Sequence, residues 1–290
     1  MHEIPTPPLL IGERINAQGS RRARRLLLAR DYQGIVELAR EQIAAGVHAL
    51  DVCVAMPEQT DEASQMAAVV RHLSDSVGVP IVVDTTDPAV VARALAEPLE
   101  RVIVNSIDLS KGRARADLVL PLVKRSAARI VALTIDEAGP ALSVERKLAI
   151  ARRIYGIVVG DHGIAPDALL IDPLTFTLGT GKAEWRDSAA ATIESIGAIK
   201  RELRGVATLL GISDVSFALP PGVRPVLNSV FLHLCVRAGL DAAIVDPARI
   251  SPADALAERD RRLAEDLLLH RTADALRRFA DGAGVDGRTP

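Results

Sequence analysis

Short apolar runs punctuate the chain at residues 9–15, 48–53, 80–84, 101–105, 129–136, 168–172, 206–211 and 240–246. They lack the strict in–out alternation of a half-solvated sheet, so they predict strands buried on both faces. Stretches of helical periodicity lie between them. In 31–45, Ile35, Leu38, Ala39, Gln42 and Ile43 share nearby faces, and Gly46 suits a helix stop. Further helices are expected over 62–75, 88–96, 115–125, 144–159, 184–203 and 225–238. The stretch 253–279 is expected to be largely helical, in one or two pieces. Asp87 reads as an N-cap ahead of Pro88 in the first turn. A Thr- and Gly-rich loop covers 175–182. No linker or low-complexity tract interrupts the eightfold strand–helix alternation. Parallel α/β architecture of this kind closes as a (β/α)8 TIM barrel. The expectation is one domain over 1–290, with the barrel at about 9–250 and a C-terminal helical segment at about 251–280.

Length and charge narrow the classes. At 290 residues the chain suits one large α/β barrel. Its formal net charge of -2 gives nucleic acid no electrostatic foothold. Arg21, Arg22, Arg24 and Arg25 form a basic cluster that reads as a solvated helix start. No apolar run approaches the ~20 residues of a membrane-spanning helix. The start, Met1-His-Glu-Ile-Pro5, does not read as a secretion signal. Cys53 and Cys235 stand in apolar surroundings without a Cys-x-x-Cys spacing, as expected in a reducing cytoplasm. The six histidines show no zinc-binding spacing, so no protein-built metal site is expected.

In such barrels chemistry sits at the C-terminal ends of the strands. The polar residues there are Asn16, Asp51, Asp84, Asn105, Asp136, Asp172 and Asp214. A single strand-end Asp is more often a turn residue than a ligand. Seven acids and amides around one mouth, with no Lys or Arg among them, point to a neutral, donor-rich ligand. A carboxylate accepts paired N–H bonds, as an aminopyrimidinone offers, and an amide both donates and accepts. Asp214, in Leu209-Leu-Gly-Ile-Ser-Asp-Val-Ser-Phe217, is expected to face a reacting nitrogen. Asp84, Asp172 and Asn105 are the strongest candidates for ligand contact. Asp51 and Asp136 either touch the ligand or brace a loop or water. Asn16 and Arg14 either line the pocket or pair with neighbouring acids. Cys53 reads as a small core residue, and His48, His72, His162, His233 and His270 as surface or packing residues. Phe176 and Trp185 flank the loop after strand six, as part of a lid or as a plain apolar contact.

The segments Ile11-Gly-Glu-Arg-Ile-Asn16, Leu50-Asp-Val52, Val83-Asp-Thr-Thr-Asp87, Val104-Asn-Ser106, Leu133-Thr-Ile-Asp136, Ile171-Asp-Pro-Leu174 and Leu210-Gly-Ile-Ser-Asp-Val-Ser216 carry a resemblance. In this order they resemble the pterin-binding methyltransferases. Within that family they are similar to methyltetrahydrofolate:corrinoid protein methyltransferases and to the folate domain of cobalamin-dependent methionine synthase. The resemblance runs from Leu9 to about Pro247. Arg224, Asn228 and Ser229-Val-Phe-Leu232 also fit it.

The resemblance implies that Asp84, Asn105 and Asp172 hold the pyrimidine edge of the pterin, and that Asp51, Asp136, Asn16, Arg224 and Asn228 belong to the same site. It implies methyl transfer between N-5 of methyltetrahydrofolate and the cobalt of a corrinoid (cobalamin), a homodimer, and a cytoplasmic place in one-carbon metabolism. Asp214 falls where these methyltransferases usually carry an Asn bonded to N-5, a departure at the reacting nitrogen. The chain has no Asp-x-His-x-x-Gly corrinoid motif and no Cys cluster for a zinc thiolate, so a separate corrinoid protein is the expected partner. Two rival readings are a dihydropteroate synthase-like enzyme and a non-catalytic folate-binding subunit. The first calls for basic anion-binding residues after strands seven and eight, where this sequence has Ser213-Asp-Val-Ser216.

Overall fold

A computed structural model describes residues 8–58 and 60–283. The N-terminal pentapeptide read for a targeting signal lies outside the described residues. Eight parallel strands close on themselves. They are β1 (Leu9–Asn16), β2 (Ala49–Cys53), β3 (Ile81–Asp84), β4 (Val102–Ile107), β5 (Arg129–Leu133), β6 (Leu169–Asp172), β7 (Ala207–Gly211) and β8 (Ala242–Val245). Each pairs with the next, and β8 closes the barrel on β1 through Leu9 opposite Ala242 and Ile11 opposite Ile244.

Around them run α1 (Arg21–Leu28), α2 (Tyr32–Ala44), α3 (Glu62–Ser76), α4 (Pro88–Ala94), α5 (Ala114–Arg125), α6 (Val144–Tyr155), α7 (Ser188–Glu202), α8 (Arg224–Ala238), α9 (Glu258–Leu268) and α10 (Ala275–Gly282). Local chemistry sets their starts. The side chains of Ser20, Asp31, Asp61, Asp87 and Ser143 each accept a backbone N–H of the first turn, and Pro88 follows Asp87 as expected. Gly239 ends α8 at φ 106, a left-handed conformation open to glycine at little cost.

The interior of the barrel is a separate layer of Leu9, Ile11, Ala49, Val82, Ile103, Val131, Leu170, Ala207, Leu209 and Ala242. Two larger apolar layers lie outside it, between strands and helices. Alternate residues of a strand share a face. Two positions beyond the inner layer therefore come Glu13, Asp51, Asp84, Asn105, Leu133, Asp172, Gly211 and Ile244. This ring forms the floor of the barrel mouth, and most of it is acid or amide.

Several boundaries differ from expectation. The strand predicted over 129–136 ends at Leu133, and Ile135–Asp136 pairs antiparallel with Gly139–Pro140 as a small hairpin. Helix α6 gives way after Tyr155 to a wider turn over Gly156–Asp161. A single turn at Ala183–Trp185 precedes α7. The C-terminal segment is α9 and α10, with a separate turn at Ala253–Ala255. The arginine cluster does start a helix, α1, where Arg22 pairs with Glu41 and Arg24 with Glu58 across the surface. Among the described residues no helix is long and apolar enough to cross a membrane.

Candidate active site at the barrel mouth

The inward ring brings two groups of polar side chains together. On one side stand Asp51, Asp84 and Asn105. The Asn105 amide donates to Asp51 Oδ1 at 3.5 Å. Asp51 is buried, and burial, then the charge of Asp84, pushes its carboxyl well above the usual carboxylate range. Burial raises Asp84 to about 6, opposed by a hydrogen bond with the Cys53 thiol. Burial and Asp84 in turn hold Cys53 at about 12. A thiol in that state is no nucleophile, in line with its reading as a core residue.

On the other side stand Asp172, Asp214 and Glu13. Asp172 closes β6 and is 7% exposed; its Oδ1 accepts the Leu174 N–H at 2.7 Å. Burial lifts its pKa to about 7, that backbone bond and Lys147 pull it down, and Asp214 pushes it up. Glu13 is also raised to about 7, chiefly by burial, although the Ser213 hydroxyl donates to its carboxylate at 2.9 and 3.0 Å. Asp214 lies in the turn Ile212–Ser216 that follows β7. Its side chain is open to the cavity, yet enough protein surrounds it that burial pushes its pKa upward. An open carboxylate keeps much of its water, so this push is weaker than at Asp172. The charge of Glu13 also reaches Asp51, so the two groups share one field across the mouth.

A cavity of about 740 Å³ opens beside Asp214 and is lined by Glu13, Arg14, Asn16, Arg224 and Asn228, among others. Asn16 is partly spent on its own turn, where its Oδ1 accepts the N–H groups of Gln18 and Gly19. Arg224 donates to Leu219 O at 2.7 Å. Asn228 is 7% exposed, and its buried Oδ1 has no hydrogen-bond partner within the protein. A buried acceptor without a partner is costly, so this atom suits a ligand donor. Phe176 and Trp185 stack on each other at 5.6 Å, with Lys182 over the Trp185 ring.

One expectation is corrected. Asp136 does not close a barrel strand; it sits in the hairpin beyond β5, its carboxylate paired with Arg146 and, at 3.8 Å, with Arg153. Cations stand at the mouth beside the acids, Arg14 and Arg224 among them as expected. Arg14, Arg224 and Arg249 line the cavity, and Lys147 lies behind Asp172.

Glu13 and Lys147 were not singled out from the sequence. Glu13 had a signal, since it stands two residues past the inward Ile11. Lys147 had a weaker one, at helical spacing from Ile150, Ala151 and Ile154 on the buried side of α6. Among the described residues no cluster of His, Cys, Asp and Glu is arranged to hold a metal ion.

A family model described as pterin binding enzyme matches residues 12–246. Proteins named methionine synthase from Mycobacterium tuberculosis (strain ATCC 25618 / H37Rv) and Mycobacterium leprae (strain TN) are each 40% identical over 266 residues. The match covers 91% of this chain but 22% of each relative, so the chain spans about a fifth of their length. Among solved structures, a dihydropteroate synthase from Xanthomonas albilineans aligns with a TM-score of 0.59 at 21% identity, covering 83% of this chain and 88% of that one. A dihydropteroate synthase from Coxiella burnetii aligns with a TM-score of 0.59 at 16% identity, covering 93% and 95%. At these identities the likeness is one of fold.

Proposed function

The chain belongs to the pterin-binding enzyme family, and from that premise we propose that it moves a methyl group between N-5 of methyltetrahydrofolate and the cobalt of a corrinoid carried by a separate protein. The observation that carries this reading is the ring of inward acids and amides at the barrel mouth, which meets through Glu13 the cavity that Asp214 lines. The similarity to proteins named methionine synthase supports the methyl-transfer class.

Asp84, Asn105 and Asp172 bind the pterin's pyrimidine edge. The carboxylates accept its N–H donors in pairs, and the Asn105 amide serves a neighbouring acceptor. Asn228 offers its unpaired Oδ1 to the same ligand. The corrinoid supplies the cobalt that takes or gives the methyl group.

This chain's own task is the nitrogen. A tertiary amine leaves poorly unless N-5 gains a proton as its bond to carbon breaks. Burial raises the carboxyls of Glu13, to about 7, and of Asp214, so this side of the mouth favours a protonated acid beside N-5. Asp214 passes its proton to N-5, and the carboxylate left behind pairs with the N-5 cation. Covering of the site by ligand strengthens that pair by excluding water.

The test is single-turnover methyl transfer by Asp214→Asn. The amide keeps a hydrogen bond but has no proton to give, so the rate at pH 7.5 should fall on the order of 100-fold. The optimum should move to lower pH, where solvent protonates N-5, and folate affinity should change far less. A variant that matches or exceeds the wild type at neutral pH would show that Asp214 does not supply the proton.

A further inference from the structure

Lys147 is a fully buried cation in the first turn of α6. Its ammonium has three donors. One goes to Pro173 O, one to Leu174 O at 2.9 Å, and one to Thr192 Oγ1 on α7 at 3.4 Å. The Thr192 hydroxyl itself donates to Leu174 O at 2.5 Å, and the Phe176 ring lies 5.8 Å from the ammonium. All of these partners except Thr192 belong to the few residues that follow Asp172.

That turn has an unusual backbone. Leu174 has φ 58, a left-handed conformation that a branched residue rarely adopts. It persists only where surrounding contacts hold it. Here the contacts are the two carbonyl bonds to Lys147. In this conformation the Leu174 N–H points back onto Asp172 Oδ1. The chain of contacts therefore runs from the ammonium, through two carbonyls, to the amide that orients the carboxylate.

We propose that Lys147 is a positioning residue for the pterin site: it pins the turn after β6 that orients the Asp172 carboxylate, and its charge favours the ionised Asp172 that meets the ligand. The inference rests on the reading that Asp172 contacts the pterin. It assigns to α6, on the outer side of the barrel, a direct effect on the state of an inner carboxylate.

Electrostatics agree with the geometry. The Asp172 carboxyl is held near 7 by burial, with Lys147 pulling it down and Asp214 pushing it up. Burial lowers the Lys147 ammonium to about 8, and Asp172 supports its charge. The groups that face this pair are Asp214 from the turn after β7, Thr192 from α7 and the Phe176 ring. An ammonium that only filled space would be poorly placed here, since burying a charge is costly without a partner.

The test uses Lys147→Met, which keeps most of the side-chain volume and removes the charge. In the free protein, carbon-13 NMR of the Asp172 carboxyl, assigned with Asp172→Asn, reports its titration. Loss of a neighbouring cation should raise the Asp172 midpoint by roughly one pH unit. Affinity for methyltetrahydrofolate should then fall about tenfold at pH 6.5, because one pH unit of midpoint is a factor of ten. The wild-type advantage should shrink by about pH 9.5, where Asp172 is ionised in both proteins, to the part that comes from the carbonyl bonds holding the turn. An unchanged midpoint with a pH-independent loss of affinity would overturn the proposal and leave Lys147 as packing. If Lys147→Met does not fold, the wild-type Asp172 signal alone decides. A second inflection near pH 8, from Lys147, supports the coupling, and its absence overturns it. If the wild type binds no methyltetrahydrofolate, the functional reading fails, while the carboxyl titration still decides whether Lys147 controls Asp172.

Discussion

Replacing Asp172 by Asn should stabilise the free protein at neutral pH while weakening its hold on folate. Asp172 sits at the end of β6 with 7% of its surface exposed, and burial lifts its pKa from an ordinary 3.8 to about 7. A group raised in the folded state favours the protonated form there. Between those two values the folded protein binds more protons than the unfolded one, so stability falls as pH rises and levels off above 7. Each pH unit corresponds to 1.36 kcal/mol, so the ionised carboxylate costs about 4 kcal/mol at pH 8. Asparagine keeps the acceptor for the Leu174 N–H, does not titrate and carries no such cost. From pH 5 to pH 8 the stability gap in favour of Asp172→Asn should widen by roughly 3 kcal/mol. At about 2 °C per kcal/mol for a chain of this size, thermal melting should show the gap growing by roughly 6 °C. Calorimetry on the same samples should show methyltetrahydrofolate bound about 10- to 100-fold more weakly, the loss of a charge-assisted hydrogen bond. A gap that stays constant between pH 5 and pH 8 would refute the reasoning, because Asp172 would then carry no raised pKa.

Two other substitutions probe the site from different directions. Asp84→Ala should weaken methyltetrahydrofolate binding by roughly 1.5–3 kcal/mol with the fold retained, and wild-type affinity by calorimetry would remove Asp84 from the site. Gly179→Ala would put a Cβ 2.5 Å from Phe217 O and 2.8 Å from Leu219 N, both backbone atoms of the segment beside Asp214. That segment must shift, so we expect about 1–3 kcal/mol of lost stability by denaturant melting together with slower methyl transfer; an unchanged melt and rate would show that the loop carries no constraint on Asp214.

Much of this architecture was legible because its physics is local. Parallel barrel strands are buried on both faces, so they stand out as unbroken apolar runs such as Ile81–Asp84 and Leu169–Asp172. Asp84, Asn105 and Asp172 are legible at the mouth because they close such runs, and Asp51 because it breaks one. Asp136 was misplaced for the same reason. The apolar pattern of 129–136 continues through a hairpin that only tertiary pairing separates from β5. Glu13 is masked by Asn16, the polar residue that closes its run, whereas the two-residue alternation from Ile11 selects Glu13. Lys147 was hidden because a lysine within a charged helix, between Arg146 and Arg152, reads as solvated surface. Its burial depends on two carbonyls that face it from a left-handed turn, and no pattern along the chain announces that turn. The C-terminal segment is helical in two pieces, α9 and α10, one of the two forms its pattern allowed.

The measurement that bears most directly on the proposed reaction is methyl transfer from methyltetrahydrofolate to free cob(I)alamin, followed in the visible spectrum with purified protein. The expected result is protein-dependent loss of the cob(I)alamin band and growth of the methylcobalamin band, with one tetrahydrofolate formed for each methyl moved. Saturable folate binding without any spectral change would contradict it, and would leave a pterin-binding barrel that does no methyl chemistry.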